Sequence, residues 1–471
     1  MLRLPAPLAI FLGVLLGLFA CAHAPPKSVI ASSAPPAAEP PAQASEPVVA
    51  PEAAAEPAAP GSESAVASEP APAEGAPPPA QEGVEEPSKK SEPPEAASEP
   101  GPKPPGLAGA LELRLVKTFP GAVAPKSVAL SPDGRFAAVM NLEGMEAWLI
   151  DARSLEIVRH IDFAPFKEAA TGFDYAKKKP IPSYAQKPVE ATFSNDSRFL
   201  WMSLHNAASV VVYDLEEKAP PPANAPSYRA VIRDASGGSH LWRLPRIATG
   251  KTPKVVEVTP DSRYVVVGNW HSGSVTVIDA ARLSPVATIQ SGASPEFIPR
   301  GLAVSPDSTT LYVANMGGGT ISTIDLRSLK KVREDAITPN PRHLQLTRDG
   351  RILFISENVG GQVLKYDLVE RRVLSRSAVG SMARTIALSP DERVLYAVSN
   401  EDGKVVALRA DDLFPLAEVP FVAPMGLAVS PDDRQLWVTS YTGAGFVSVF
   451  DLVVDGAGPE PVAAARAAPG S

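Results

Sequence analysis

The chain is poor in the residues that most often announce chemistry. Its 471 residues include one cysteine and six histidines. A lone thiol excludes an intramolecular disulfide. His205 and His271 fall in equivalent turns and His343 stands elsewhere, but no carboxylate or thiolate joins them at ligand spacing, so no metal site is expected. HExxH, GxSxG, Walker and dinucleotide fingerprints are all missing, and no cofactor is expected. Excess charge of either sign is missing from residues 111–471, which hold 39 acidic and 39 basic side chains. That balance gives no broad basic field of the kind that draws nucleic acid. The net charge of −8 comes instead from residues 22–110, with thirteen Glu against four Lys, offset by Arg3.

The one cysteine is placed where it carries information. Arg3 precedes a twelve-residue apolar run, Leu8 to Phe19, followed by Ala20 and Cys21. A positive start, a short apolar core and a small residue at the cut are the layout of an export signal, and the run is too short to span a bilayer comfortably. LFAC at 18–21 resembles the lipobox of bacterial lipoproteins, with Phe19 where a smaller residue is usual. The resemblance implies residues 1–20 as signal peptide and lipidation at Cys21. Several acyl chains, at ~0.8 kcal/mol per buried methylene, would hold the protein on a membrane. Ala22, not Asp, follows the cysteine, and the enterobacterial sorting rule then implies the outer membrane of a bacterial cell envelope.

Residues 21–110 read as a disordered tether. They are almost entirely Pro, Ala, Glu and Ser, with SEP at 45–47, 68–70, 91–93 and 98–100. Such a stretch has too little apolar surface to offset its ordering entropy. As a flexible coil it reaches roughly 50 Å, and fully extended roughly 260 Å.

From residue 111 a repeat takes over. SPDGR at 131 returns as SNDSR at 194, TPDSR at 259, SPDST at 305, TRDGR at 347, SPDER at 389 and SPDDR at 430. The last four spacings are 46, 42, 42 and 41 residues, and the first two, 63 and 65, carry insertions. Asp133, Asp196, Asp261, Asp307, Asp349, Asp391 and Asp432 hold the third position throughout. These copies are numbered repeats 1 to 7 below. Proline sets φ for a type I corner, the Asp bonds back to the backbone, and Gly or Ser tolerates the exit. Seven catalytic copies would make no sense, so the motif is a corner between a first and a second strand. Alternating segments such as RYVVVGN and VTVID supply the second and third strands, and LEIVRHI or RRVLSR a fourth. Four short strands in about 42 residues is the size of a propeller blade.

The segment PDSTTLYVANMGGGTISTID, residues 306–325, is similar to the YVTN repeat of bacterial seven-bladed β-propellers, which include the YncE-like periplasmic proteins. The expected fold class is therefore all-β, a seven-bladed propeller over residues 111–457 with a tail at 458–471. The strand around 113–118 should complete the last blade and remove an exposed edge. A second regularity is Arg two residues after the motif Asp in six repeats, with Asp at the end of most third strands. Arg–carboxylate pairs are expected along that rim, each worth about 0–1 kcal/mol.

Function is sought on the other rim. There Lys126, Lys254, Arg300, Arg342 and Arg384 occupy one register position at the start of five first strands, and Val189 and Met425 occupy it in the other two. At ~10 Å and an effective dielectric of ~20, each like-charge pair costs roughly 1.7 kcal/mol. Three readings stand: the charged heads splay into water, each cation bonds carbonyls of the neighbouring blade, or an anion sits among them. His343 follows Arg342. The insertion 162–187 on the same rim brings Phe173, Tyr175, Tyr184 and Lys177 to Lys179, a mixture suited to single strands, glycans or acidic peptides. A second insertion, 215–239, lies in a third-to-fourth strand connection. The expected function is a binding or scaffolding module for a protein, glycan or anionic ligand of the envelope, with the membrane reached through the lipid. The family resemblance adds as alternatives single-stranded DNA binding and a lactonase-like or quinone- or haem-linked enzyme.

Overall fold

The computed structural model describes residues 111–163, 172–174, 179–181 and 186–454. Cys21, the tether and the tail 458–471 lie outside the described residues. The described chain is all-β. Four consecutive repeats each make a four-stranded antiparallel sheet in simple up-and-down order. Repeat 3 runs Pro253–Val258, Tyr264–Asn269, Ser274–Asp279 and Ser284–Gln290. Repeats 4, 5 and 6 follow the same plan from Pro299, Pro341 and Ala383. The last sheet takes three strands from the C-terminal end and its fourth from the other end of the domain. Leu111–Ala122 pairs antiparallel with Gly445–Val454, from Leu111 opposite Val454 to Ala122 opposite Gly445. This is the expected closure, with a longer terminal strand than 113–118.

Why these segments are strands is visible in their burial. The second and third strands are dense in Val, Ile, Leu and aromatic residues and bury both faces, as in Tyr264–Asn269, every residue of which is buried. β-Branched side chains suit such a two-sided pleat. Fourth strands alternate: in Arg372–Ala378 the partly buried positions are Val373, Ser375 and Ser377, and the rest are exposed. Cores therefore lie between successive sheets. Val266, Val275, Val277 and Ile289 of repeat 3 pack on Leu302, Leu311, Val313 and Ile324 of repeat 4. Across the closure, Phe119, Trp437, Val447 and Val449 pack on Val139, Trp148 and Ile150. The first strands follow one another inside: Pro125–Leu130 lies against Pro188–Phe193, and so on to Pro424–Val429, which returns to Pro125–Leu130.

The motif corners repeat to the atom. In every copy the Asp carboxylate accepts from the hydroxyl at position one and from the backbone N–H two residues on, as in Ser131 Oγ to Asp133 Oδ1 at 2.6 Å and Arg135 N at 3.0 Å. That hydroxyl in turn accepts from the N–H five residues on, Phe136 N at 2.8 Å and Tyr264 N at 2.9 Å. Position four is left-handed in all seven: Gly134, Ser197, Ser262, Ser308, Gly350, Glu392 and Asp433 have φ between 59° and 72°. Where it carries a side chain, that side chain ties adjacent repeats: Asp133 N donates to Ser197 Oγ at 3.0 Å, Asp261 N to Ser308 Oγ at 2.9 Å, and Asp391 N to Asp433 Oδ2 at 2.8 Å.

Two expectations need correction. Of the rim Arg–Asp pairs, Arg198–Asp214 at 2.8 Å and Arg351–Asp367 at 2.9 Å form. The third-strand Asp residues mainly cap their own turns. Asp151 accepts from the N–H of Arg153 and Ser154, and Asp325 from Arg327 and Ser328. Arg135 and Arg263 lie instead over the rings of Phe136 and Tyr264, both 4.7 Å from the centroid. A local backbone bond has almost no loop to close, so it wins over a long exposed side chain. The second insertion also contains a strand that the sequence reading did not identify, Ser227–Asp234. It pairs with both Glu156–Phe163 and Ser239–Ala248, so repeats 1 and 2 share one nine-stranded sheet. Its alternating SYRAVIRD was the available signal. Arg233 clamps the join, reaching Asp162 through both Nε and Nη2.

Candidate functional site

Each first strand begins with Pro or Ala, then the ring position, then a bulge; repeat 1, for example, shifts register between Pro125 and Ser127. The bulge turns the strand end toward its neighbours around the inner face. Close approach follows from Gly301, where a Cβ would sit 2.7 Å from the Arg342 carbonyl oxygen. The five register cations are thereby brought together, and they are buried: relative exposure is 8% for Lys126, 4% for Lys254, 3% for Arg300 and 5% for Arg342, with Arg384 partly buried.

Burial of four of the heads goes against their splaying into water, and among the described residues their partners are not neighbouring carbonyls. The backbone carbonyls at the ring positions are taken by hydroxyls from the adjacent repeat: Ser127 Oγ donates to Val189 O at 2.9 Å, Ser203 Oγ to Lys254 O at 2.7 Å, and Ser356 Oγ to Arg384 O at 2.7 Å. The two lysines lie against aromatic faces instead. Lys126 Nζ is 5.2 Å from the Tyr441 ring centroid and Lys254 Nζ 4.2 Å from that of Trp270. Trp270 stacks on His271, 5.5 Å between centroids. Arg342 Nη1 meets Asn358 Oδ1 at 3.3 Å and the Met316 sulfur at 3.8 Å, both neutral.

One carboxylate answers the cluster, and the sequence reading did not single it out. Glu190, next to the apolar Val189, accepts from Arg300 Nη2 at 2.6 Å. The signal was a carboxylate one residue past the ring position in one of the two repeats that lack a cation. Burial acts to raise the Glu190 carboxyl, but Arg300 and Lys126 outweigh it and hold it below the usual range. A second acid, Glu257, lies near Glu190. Burial, and then the Glu190 charge, push its carboxyl up to about 7, so near neutral pH it balances the ring only in part.

The imbalance shows in Lys126, Lys254, Arg342, Arg384 and the adjacent histidine. Burial first, then Arg342 and Arg300, depress Lys126 well below a normal lysine, and burial with Arg300 does the same to Lys254. Burial and Arg300 also depress Arg342 and Arg384. Arginine keeps its proton in proteins, so for these two the shift expresses the cost of a buried charge. Burial and Arg300 push His343 down to about 4, leaving a neutral imidazole. Three buried nitrogens of this cluster have no hydrogen-bond partner: Arg300 Nη1, Arg384 Nε and His343 Nδ1. All three belong to repeats 4 to 6. Leaving such a group unmet costs ~1–3 kcal/mol, more when it is charged.

The other candidates divide plainly. His343 joins the cluster. Phe173 lies in the short strand Gly172–Asp174, its side chain outside the described residues, as are Tyr175 and Tyr184. Among the described residues no group of three or more His, Cys, Asp or Glu is placed to hold a metal ion.

No protein-family model and no curated protein matches the sequence. In structure the chain is similar to one solved as Kuenenia stuttgartiensis hydrazine synthase, with 19% identity, a TM-score of 0.53, and coverage of 70% of this chain and 96% of that one. This likeness, with its succession of antiparallel sheets, supports a propeller-type β fold.

Proposed function

We propose that the protein is a seven-bladed, YVTN-like propeller that binds an anionic ligand in the basic ring at the mouth of its central channel. The cycle of first strands and the terminal pairing of Leu111–Ala122 support the seven-bladed reading. The observation that carries the function is charge: four buried cations and a partly buried fifth face one hydrogen-bonded carboxylate, with three donor-capable nitrogens left unmet. Burying that much unpaired charge is expensive unless a ligand completes it. Lipid at Cys21 and the tether 21–110 would hold this binding module away from a bacterial membrane, as an envelope scaffold. The test is thermal melting of the full chain with phosphate, pyrophosphate, sulfate or citrate at fixed ionic strength. A ligand that binds only the folded state raises Tm with concentration. At least one of these anions should do so, and the triple variant Arg300→Glu, Arg342→Glu, Arg384→Glu should lose the shift. No shift for any of them, or a shift that survives the triple variant, overturns the reading.

A further inference from the structure

We propose that the ring selects a phosphoryl dianion, and that Glu190 is the resident counter-ion that sets this selectivity by holding the place of a single carboxylate. The inference rests on the anion-binding reading of the same site. Glu190 reaches Arg300 from two repeats away and meets it through Nη2 alone. Arg300 Nη1 is left over, as are Arg384 Nε and His343 Nδ1 on two side chains that feel the Arg300 charge. A carboxylate from solution has two oxygens and one charge. It gains little over Glu190, which is tethered and so present at high effective concentration. A phosphoryl group brings a second charge and a third oxygen. Its oxygens can accept from Arg300 Nη1, Arg384 Nε and, in the tautomer that carries the proton there, His343 Nδ1. The ring then holds five cations against three negative charges, where Glu190 alone had left one.

Arg300 therefore stays partnered whether or not ligand is bound, while the remaining donors define the incoming group. Pyrophosphate and a membrane phosphomonoester present the same headgroup chemistry from two sources.

The test is calorimetric titration of the full chain and of Glu190→Gln with phosphate, pyrophosphate and acetate, plus flotation with phosphatidic acid vesicles compared with phosphatidylglycerol vesicles. The native chain should bind phosphate or pyrophosphate and ignore acetate at a hundredfold higher concentration. Glu190→Gln should bind phosphate at least tenfold more tightly and should now bind acetate. Flotation with phosphatidic acid only would assign the lipid source, and solution binding without flotation the free one; either supports the class. Glu190→Asp, which keeps the charge on a shorter arm, guards against a folding defect and should fall between the two. If the native chain binds phosphate but Glu190→Gln neither tightens it nor admits acetate, the Glu190 assignment is wrong while the anion site stands. If the native chain prefers acetate or citrate to phosphate, the phosphoryl class is wrong. If Arg384→Met binds as the native chain does, the ring itself is not the site.

Discussion

The two ends of the sheets use the same repeat to opposite effect. At the corner end, seven motif Asp residues sit in identical positions and each is satisfied by its own hydroxyl and backbone. At the ring end, five cations also keep one register, yet four of them are buried, with neutral or aromatic neighbours and a single hydrogen-bonded carboxylate. Repetition alone therefore does not separate scaffold from site. What separates them is whether each copy satisfies itself. A corner carboxylate is satisfied within six residues; the ring leaves Arg300 Nη1, Arg384 Nε and His343 Nδ1 unmet.

That contrast presumes a closed body on which both ends ride, and the largest effect should come from opening it. Removing residues 111–118 strips much of the strand that pairs with Gly445–Val454 and should abolish the cooperative melting transition, while removing 458–471 should leave Tm nearly unchanged. Melts in the reverse order would break the closure. Next comes the packing shared by both ends. Trp437 is fully buried against Phe119, ring centroids 6.0 Å apart, and Trp437→Ala should cost ~3–5 kcal/mol by denaturant titration.

Charge should then distinguish the ends. Glu257 has its folded pKa raised to about 7 from 4.5. Its contribution to stability is fully present below pH 4.5 and is lost as pH rises through 7, a swing on the order of 3 kcal/mol. Glu257→Gln should flatten the melting profile across that window; a profile identical to the native one would remove Glu257 from the ring's electrostatics. At the corner end hydrogen bonds outweigh burial and hold the Asp133, Asp261, Asp307 and Asp349 carboxyls down, so their contribution is present above the normal Asp range and fades as pH falls through the lowered values. A single corner change such as Asp307→Ala should cost only ~0.5–1.5 kcal/mol and leave ligand titrations untouched.

Much of the fold was legible because strand patterning and turn chemistry are local. Seven copies of a corner with a fixed Asp, and alternating segments between them, specify sheets without reference to distant residues. The register cations were legible for the same reason. Glu190 was not: its partner Arg300 lies 110 residues away, and its place one residue past Val189 was the sole local hint that the carboxylate faces the ring. The strand Ser227–Asp234 was missed because its Pro-rich lead-in resembled a loop, although it pairs on both sides. Arg–Asp pairs were overread because matched spacing cannot show that a nearer N–H will satisfy the carboxylate first.

The most direct measurement is Tm of the native chain and of Arg342→Met across a phosphate titration. Arg342 is buried beside neutral partners, so replacing it with a side chain of similar volume should raise Tm when phosphate is absent, by ~1–4 kcal/mol of stability. Phosphate should then lift the native curve more steeply, and the two should cross. Parallel curves, or a variant less stable than the native chain without phosphate, would show that the ring carries no unbalanced charge for an anion to complete.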